Sequence, residues 1–361
     1  MQATTAAVDL AKNVYQVVLA DAEHRVIEQH RLTRSQFERF FDNRDVEHIV
    51  MEACGSAHFW ARRFEQRGCE VRLLPPKYVR AYVRRSKTDA ADARALIEAA
   101  RDCTLRPVQV KSVEQLALQA LHRTRSLWMS TRTSRINALR GFCREFGLHI
   151  PVGARTGVEA IARALADEYC ALPEILRSSL RALLDEIRVL ETRIAQIERE
   201  LSAAAAVSEP CKQLMTIPGI GLLSSTAIVA ATSGSVAHFT SSRHFAAWFG
   251  LTPKEHSSGE QRRLGGISKQ GDKYLRMLLT HGARSVLRAA TVAQSRGHSL
   301  SGIRAWAVEL QRRSNHNKAT CALANKLARI CFAVLRDRTA FGQRVVRLTK
   351  KLNRQAFVIA H

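Results

Sequence analysis

Hydrophobic and polar positions change period along the chain, and each change predicts an element. Residues 6–20, AAVDLAKNVYQVVLA, read as a strand, a turn at Lys12 and Asn13, and a second strand whose 15–19 run is β-branched and aromatic. Residues 24–32 continue as a third strand, 35–42 as a short helix, and 47–52, EHIVME, as a compact apolar strand. Between Gly55 and Gly68 the apolar residues Phe59, Trp60 and Phe64 take helical spacing. Residues 70–74, EVRLL, form another strand, closed by Pro75 and Pro76. Strands first alone and then alternating with helices predict an α/β domain with a mixed sheet over residues 1–111.

From 112 to about 147 the chain is helical and basic. Leu176, Leu180, Leu183, Ile187, Leu190, Ile194, Ile197 and Leu201 then alternate steps of three and four, which is a coiled-coil seam. That seam asks for a partner helix, within the chain or from a second subunit. Residues 112–205 thus read as a helical segment, inserted in or attached to the first domain, and 202–210, SAAAAVSEP, as a linker. A third region, 211–300, holds MTIPGIGLLSSTAIVAA, the aromatic stretch FAAWFGLTP, a Gly/Ser-rich loop EHSSGEQRRLGGISKQGD and a helix over 273–290. Residues 301–361 read as a basic helical tail in which Glu309 and Asp337 are the acids. The fold class is therefore α/β plus α.

Charge narrows the partners. Lys plus Arg is 56 against 32 Asp plus Glu, a formal net charge of +24. Such an excess points to a polyanion, with nucleic acid leading. No segment is long and apolar enough to span a membrane. The first residues lack a basic stretch followed by an apolar core, so a cytoplasmic protein is expected. Eight cysteines are scattered without C-x-x-C spacing, which argues against a zinc site and for reduced core thiols.

Against this basic background four acids stand out. Asp9 lies near the end of the first strand among Ala6, Ala7, Val8 and Leu10, and Glu52 closes the EHIVME strand. Asp89 and Asp92, three apart in an Ala-rich helix, share one helical face, with Thr88 placed to cap it. Acids in a first turn also suit the helix dipole without any metal. Two acids ending strands and two on one helix face nevertheless make a hard-oxygen set for a divalent cation such as Mg²⁺. Two such ions can stabilise attacking and leaving oxygens together. Lys12 and Lys87 lie near these acids in the chain, ready to meet phosphate.

These residues carry a resemblance. Val8-Asp9-Leu10-Ala11-Lys12, Met51-Glu52-Ala53-Cys54-Gly55 and the run from Lys87 to Arg94 resemble the DEDD motifs of the IS110/IS1111 family of insertion-sequence transposases. The segments LMTIPGIGLLSSTAIVAA and FAAWFGLTPKEHSSGEQRRLGGISKQGDKYLR resemble that family's second conserved domain, so the likeness covers nearly the whole chain. It implies a RuvC/ribonuclease H-like first domain, in keeping with several strands paired by hairpins before the first crossover. It also implies DNA strand cleavage and rejoining through a serine that falls in a Ser-Gly step, here Ser258. Ser257 leaves that assignment open by one position, and Ser268 is a weaker contender. The resemblance further implies double-stranded DNA partners (element ends and target), a structured non-coding guide RNA, and a homo-oligomer, a dimer of dimers, in which serine and metal site cooperate across subunits.

Read without the family, the second region says less. Ile217-Pro218-Gly219-Ile220-Gly221 before an apolar helix has the form of a helix-hairpin-helix, whose glycines let backbone N–H groups approach a phosphate, or simply of a tight turn. His256 and Glu260 are the bases nearest the serines in sequence, and Arg262, Arg263 and Lys269 are placed to stabilise phosphate charge. Two rival functions remain: a RuvC-like metal-dependent endonuclease or junction resolvase using water, and a basic helical protein that organises nucleic acid without cutting it.

Overall fold

The computed structural model describes residues 3–83 and 89–343, with only the backbone described at Asp89 and Ala90. The chain divides into two compact units, Met1–Val113 and Glu114–His361.

In the first unit the elements run β1 (Thr5–Leu10), β2 (Val14–Ala20), β3 (Val26–Thr33), α1 (Arg34–Phe40), β4 (His48–Glu52), α2 (Ala57–Gln66), β5 (Glu70–Leu74), α3 (Pro76–Val79) and α4 (Asp89–Arg101). They form a five-stranded sheet of order β3-β2-β1-β4-β5. Strands β1, β2 and β3 pair antiparallel, while β1, β4 and β5 run parallel. This is the mixed sheet expected, with three strands paired by two hairpins before the first crossover.

Both faces of the central strands are covered, and strand alternation sorts the side chains. Ala6, Val8, Ile49 and Met51 pack with Phe37, Phe41, Trp60 and Phe64 from α1 and α2. Ala7, Val18 and Val50 face the other way, onto Ala93, Leu96 and Ile97 of α4. The alanines of α4 let it lie close to β1 and β2. The outer strand β3 is polar and half-exposed, as an edge strand must be to avoid pairing with other chains.

The second unit is helical: α5 (Val113–Glu145), α6 (Ala154–Ala166), α7 (Glu174–Val207), α8 (Glu209–Met215), α9 (Leu222–Thr232), α10 (Ser242–Trp248), then the strands β6 (Pro253–Glu255) and β7 (Leu264–Ile267), then α11 (Lys273–Ser295), α12 (Gly302–Arg313) and α13 (His316–Asp337). The seam of α7 finds its partner within the chain. Arg125–Glu198, Arg132–Glu191 and Arg135–Glu186 pair in descending order, so α5 and α7 run antiparallel. Ile136, Leu139 and Cys143 of α5 and Ile161 and Leu165 of α6 share a core with Leu180, Leu184 and Ile187.

Three expectations change. The segment 202–210 is not a linker: α7 continues to Val207, because a run of alanines has the highest helix propensity. Residues 301–337 are not an appended tail. Their inner faces, including Ala307, Leu323, Leu327 and Cys331, are fully buried and complete the core of α8–α11. The Gly/Ser-rich loop is a two-stranded antiparallel hairpin, β6–β7.

Candidate functional site

The acids come first. Val8 pairs with Met51 in the parallel β1/β4 register, and one residue further on each strand lie Asp9 and Glu52. Alternation turns both toward the face that α4 covers, the face shared by Ala7 and Val50. Both are half-buried. The Cys54 thiol, 4.0 Å from the Leu10 carbonyl, senses both. Burial pushes that thiol up, and the charges of Glu52 and Asp9 add in the same direction. The strand ends thus bring Asp9 and Glu52 to one place at the carboxyl edge of the sheet. Neighbouring parallel strands end together there, and open α/β sheets place ligands at such edges.

Asp92 sits half-buried in the first turn of α4, and Asp89 begins that helix. So α4, the helix laid on the face of Asp9 and Glu52, carries the other two acids. Among the described side chains no three His, Cys, Asp or Glu residues gather into a cation site; the Asp89 side chain is not one of those described. Lys12 is exposed in the β1–β2 turn, while Lys87 and Thr88 lie outside the described residues. Four carboxylates fit a hard divalent ion in donor chemistry, and the placement of two of them is in keeping with it.

The serines stand on the β6–β7 hairpin in the second unit. Its base is fixed by four contacts: Ser268 N–H to the Thr252 carbonyl (2.7 Å), Lys269 N–H to that of Gly250 (3.1 Å), the Arg276 guanidinium to that of Phe249 (2.9 Å) and the Asn325 amide to that of Leu251 (3.2 Å). A Cβ on Gly250 would stand 2.1 Å from the Gln270 carbonyl oxygen, and one on Gly271 2.0 Å from that of Trp248. Only glycines allow this approach. Lys269 itself has φ +55°, a left-handed backbone that is strained for a lysine.

Beyond this base the tip is exposed. Ser258 and Gln261 exchange backbone hydrogen bonds of 3.3 and 3.2 Å around Gly259, whose φ is +56°. The Ser257 hydroxyl is engaged twice: it donates to Glu255 Oε1 at 2.8 Å and accepts the Arg263 N–H at 3.1 Å. Among the described residues the Ser258 hydroxyl has no hydrogen-bond partner. Ser268 is half-buried at the base, where its Oγ accepts from the Gln270 N–H. Arg262 lies 3.6 Å from Glu255, an exposed pair that a phosphate could displace at little cost. Arg263 and Lys269 are exposed.

Glu255 is the residue that sequence reasoning missed. His256 and Glu260 are nearer Ser258 in the chain, but strand alternation puts Glu255 and Ser257, two apart, on one side. Reading the segment as a strand rather than a loop would have found it.

Gly219 has φ +86°. A Cβ there would stand 2.8 Å from the Gly282 carbonyl oxygen of α11, and one on Gly282 2.0 Å from that of Gly219. Packing of α11 against the α8–α9 turn accounts for this glycine. Gly221, exposed at the start of α9, has open space around its Cβ position.

Comparison with known proteins agrees with both regions. Residues 6–146 match the DEDD transposase model of IS110 type, and residues 211–298 match the model of the transposase IS116/IS110/IS902 family. A probable family 20 transposase of Pseudomonas aeruginosa is 43% identical over 335 residues, covering 92% of this chain and 97% of that protein. The transposase for insertion sequence element IS1111A of Coxiella burnetii is 38% identical over 328 residues, covering 91% of this chain and 88% of its own. The transposase for insertion sequence element IS1328 of Yersinia enterocolitica is 34% identical over 341 residues, covering 94% and 99%. With two family models matched in order and relatives aligned over more than nine-tenths of its length, the chain belongs to the IS110/IS1111 family of insertion-sequence transposases and is a DNA transposase.

Proposed function

We propose that the first unit is a RuvC-like catalytic domain whose Asp9, Glu52, Asp89 and Asp92 hold Mg²⁺, and that the hairpin of the second unit supplies Ser258 as nucleophile. The observation that supports the metal role is the placement of Asp9 and Glu52 side by side at the carboxyl edge of the sheet, on the face covered by the helix that bears the other two acids. When bound, the metal supplies Lewis acidity at the scissile phosphate. In that reaction the Ser258 Oγ–P bond forms and a P–O bond to the neighbouring nucleoside breaks. The hydroxyl proton is lost to base, and the leaving sugar oxygen takes one up. One phosphodiester is replaced by one phosphoserine ester, so the bond energy is kept for rejoining.

The hairpin supports this role in two ways: its base is rigid, and the Ser258 hydroxyl is exposed and not engaged elsewhere. Arg262, Arg263 and Lys269 stand close enough in the chain to stabilise charge on the phosphate. By family resemblance, the guide is a structured non-coding RNA, the DNA partners are the element ends and the target, and the working form is a dimer of dimers. The net charge of +24 suits such partners.

A second reading of the nucleophile rests on the 2.8 Å bond from Ser257 to Glu255, since a carboxylate can take up a hydroxyl proton. The Arg263 N–H on the same oxygen argues instead that Ser257 pins the hairpin register. Denaturing gels of protein incubated with Mg²⁺ and element-end DNA decide between them. The S258A variant is expected to lose the covalent protein–DNA adduct and S257A to keep it. The reverse makes Ser257 the nucleophile, and full cleavage without any adduct in the unaltered protein makes the enzyme a water-using nuclease.

A further inference from the structure

One face of the serine hairpin borders a long cavity of about 1930 Å³ within the second unit. On one side it is walled by Lys254, the 264–267 strand and Lys269, and on the other by the outer stripe of α13. The inner side of that helix is core, and Lys318, Lys326 and Arg329 stand on its outer stripe.

Its charge is one-sided. Lys254, Lys269, Lys318, Lys326 and Arg329 all line it, and among the described residues none has a carboxylate partner. Asp337, the one acid in the lining, is paired with Arg336 at 2.8 Å and leaves the balance unchanged. Lys326 is held in place, its Nζ 4.0 Å from the Trp306 ring centroid. Lys269 is held there in spite of its strained φ of +55°. Between the cations the surface is apolar, formed by Ile267, Trp306, Ile330 and Phe341, with the core residues Leu251 and Val334 beneath.

Size and surface together select the ligand. Small-molecule sites occupy roughly 300–1,000 Å³, so this one suits something longer. Duplex DNA turns its phosphates outward and keeps its bases stacked inside, and would make no use of an apolar floor. A single strand offers phosphates to the cations and base faces to the floor.

We propose that this groove holds one strand of single-stranded DNA, phosphates against the five cations and bases against the apolar floor. The inference rests on the reading of the hairpin as the cutting element. Ser258 follows Lys254 by four residues, at most about 14 Å along an extended chain. A strand opened at Ser258 would then be kept from its complement until it is rejoined.

The test uses the full chain without divalent metal, a short fluorescent oligothymidylate, a DNA hairpin duplex of equal length, and oligouridylate. The K318Q/K326Q/R329Q variant is expected to weaken oligothymidylate binding at least about tenfold and to lower the slope of log K against log salt by about two. K254Q/K269N, on the opposite wall, should act in the same direction. The charge-matched R155Q/R188Q/R199Q, on α6 and α7, should change affinity less than about twofold, since these arginines lie outside the groove. Equal losses in both triple variants, or a groove-dependent preference for the duplex or for oligouridylate, would overturn the proposal. These titrations need neither metal nor Ser258. Their failure leaves the serine chemistry standing, and absence of a serine adduct leaves groove binding standing.

Discussion

At the scale of single residues, function and packing are separable by which atoms a side chain touches. Asp9 stands next to last in β1 and Glu52 ends β4, each after a fully buried residue, so their positions are set by the sheet and not by their own flexibility. The D9N variant should keep its fold and its DNA affinity but lose metal-dependent strand cleavage by about 100-fold or more, read as product per turnover time. Retained cleavage would remove Asp9 from the metal site. The two glycines of the IPGIG turn differ from each other: Gly219 is packed against Gly282 of α11, and Gly221 is open. In G282A the new Cβ would meet the Gly219 carbonyl oxygen at 2.0 Å, backbone against backbone, and a loss of about 3 kcal/mol or more is expected in urea unfolding. Gly221 has open space and a negative φ, so G221A should fall within about 0.5 kcal/mol. If G221A then weakens DNA binding at unchanged stability, its N–H is a phosphate contact.

Elements are held by fewer residues than their length suggests. The turn between α6 and α7 leaves carbonyls without helical partners, and the buried Arg177 guanidinium serves those of Leu165, Asp167, Glu168, Leu172 and Cys170 at 2.9–3.5 Å. R177M keeps the volume and removes the donors, and should cost about 2–4 kcal/mol in unfolding free energy. R188Q on the exposed side of α7, which breaks an i,i+3 pair with Asp185, should cost less than about 0.5 kcal/mol. Comparable effects would mean that the turn carbonyls find other partners. The serine hairpin is short and tightly footed. Its rigidity comes from Gly250, Gly271 and the Asn325 amide rather than from its own few ladder bonds.

On the whole-molecule scale two histidines, His58 in the first unit and His122 in the second, are kept neutral by folding. His122, almost fully buried, joins three helices: its Nδ1 lies 3.0 Å from the Tyr274 hydroxyl and its Nε2 3.0 Å from that of Thr226. Thr226 donates to the Leu222 carbonyl, so Nε2 carries the proton and Nδ1 accepts. Burial first, then Arg125, lowers the His122 pKa to about 4. His58, which accepts the Lys111 N–H, is lowered to about 4 by burial, Lys111 and Arg62. A group with a depressed folded pKa binds its proton more readily when unfolded. Stability is therefore fully present above pH 6.5 and falls as pH drops from there toward 4. For His122 the loss is on the order of 3 kcal/mol when complete. Urea midpoints should decline between pH 7 and 5, and H122Q, which keeps a polar group there, should flatten that decline. An unchanged slope in H122Q would show that His122 is not responsible.

The chain's own pattern determined most of the local structure. Short apolar and β-branched runs marked β1, β2, β4 and β5, the heptad spacing marked α7, and four acids marked the candidate metal site. The strand and helix signals each lie within a short window or repeat along one helix, so no distant residue is needed to read them. Tertiary structure decided what depends on residues far apart. The β1/β4 register brings Asp9 beside Glu52, 43 positions away in the chain. Facing ion pairs set α5 antiparallel along α7, and α5 and α6 together cover its Leu180–Ile187 stretch. Burial turns 316–337 from a basic tail into a core helix with a charged outer stripe, because periodicity reports that a face is apolar without saying what covers it. The hairpin went unread because its strands are short and exposed, and the ladder between 253–255 and 264–267 shows that Glu255 lies in a strand, where the Ser257 hydroxyl two residues on reaches it. The carboxylates were legible because two ended strands and two shared a helix face. The side chain that holds the neighbouring serine was not, since its pairing exists only once the strand has formed.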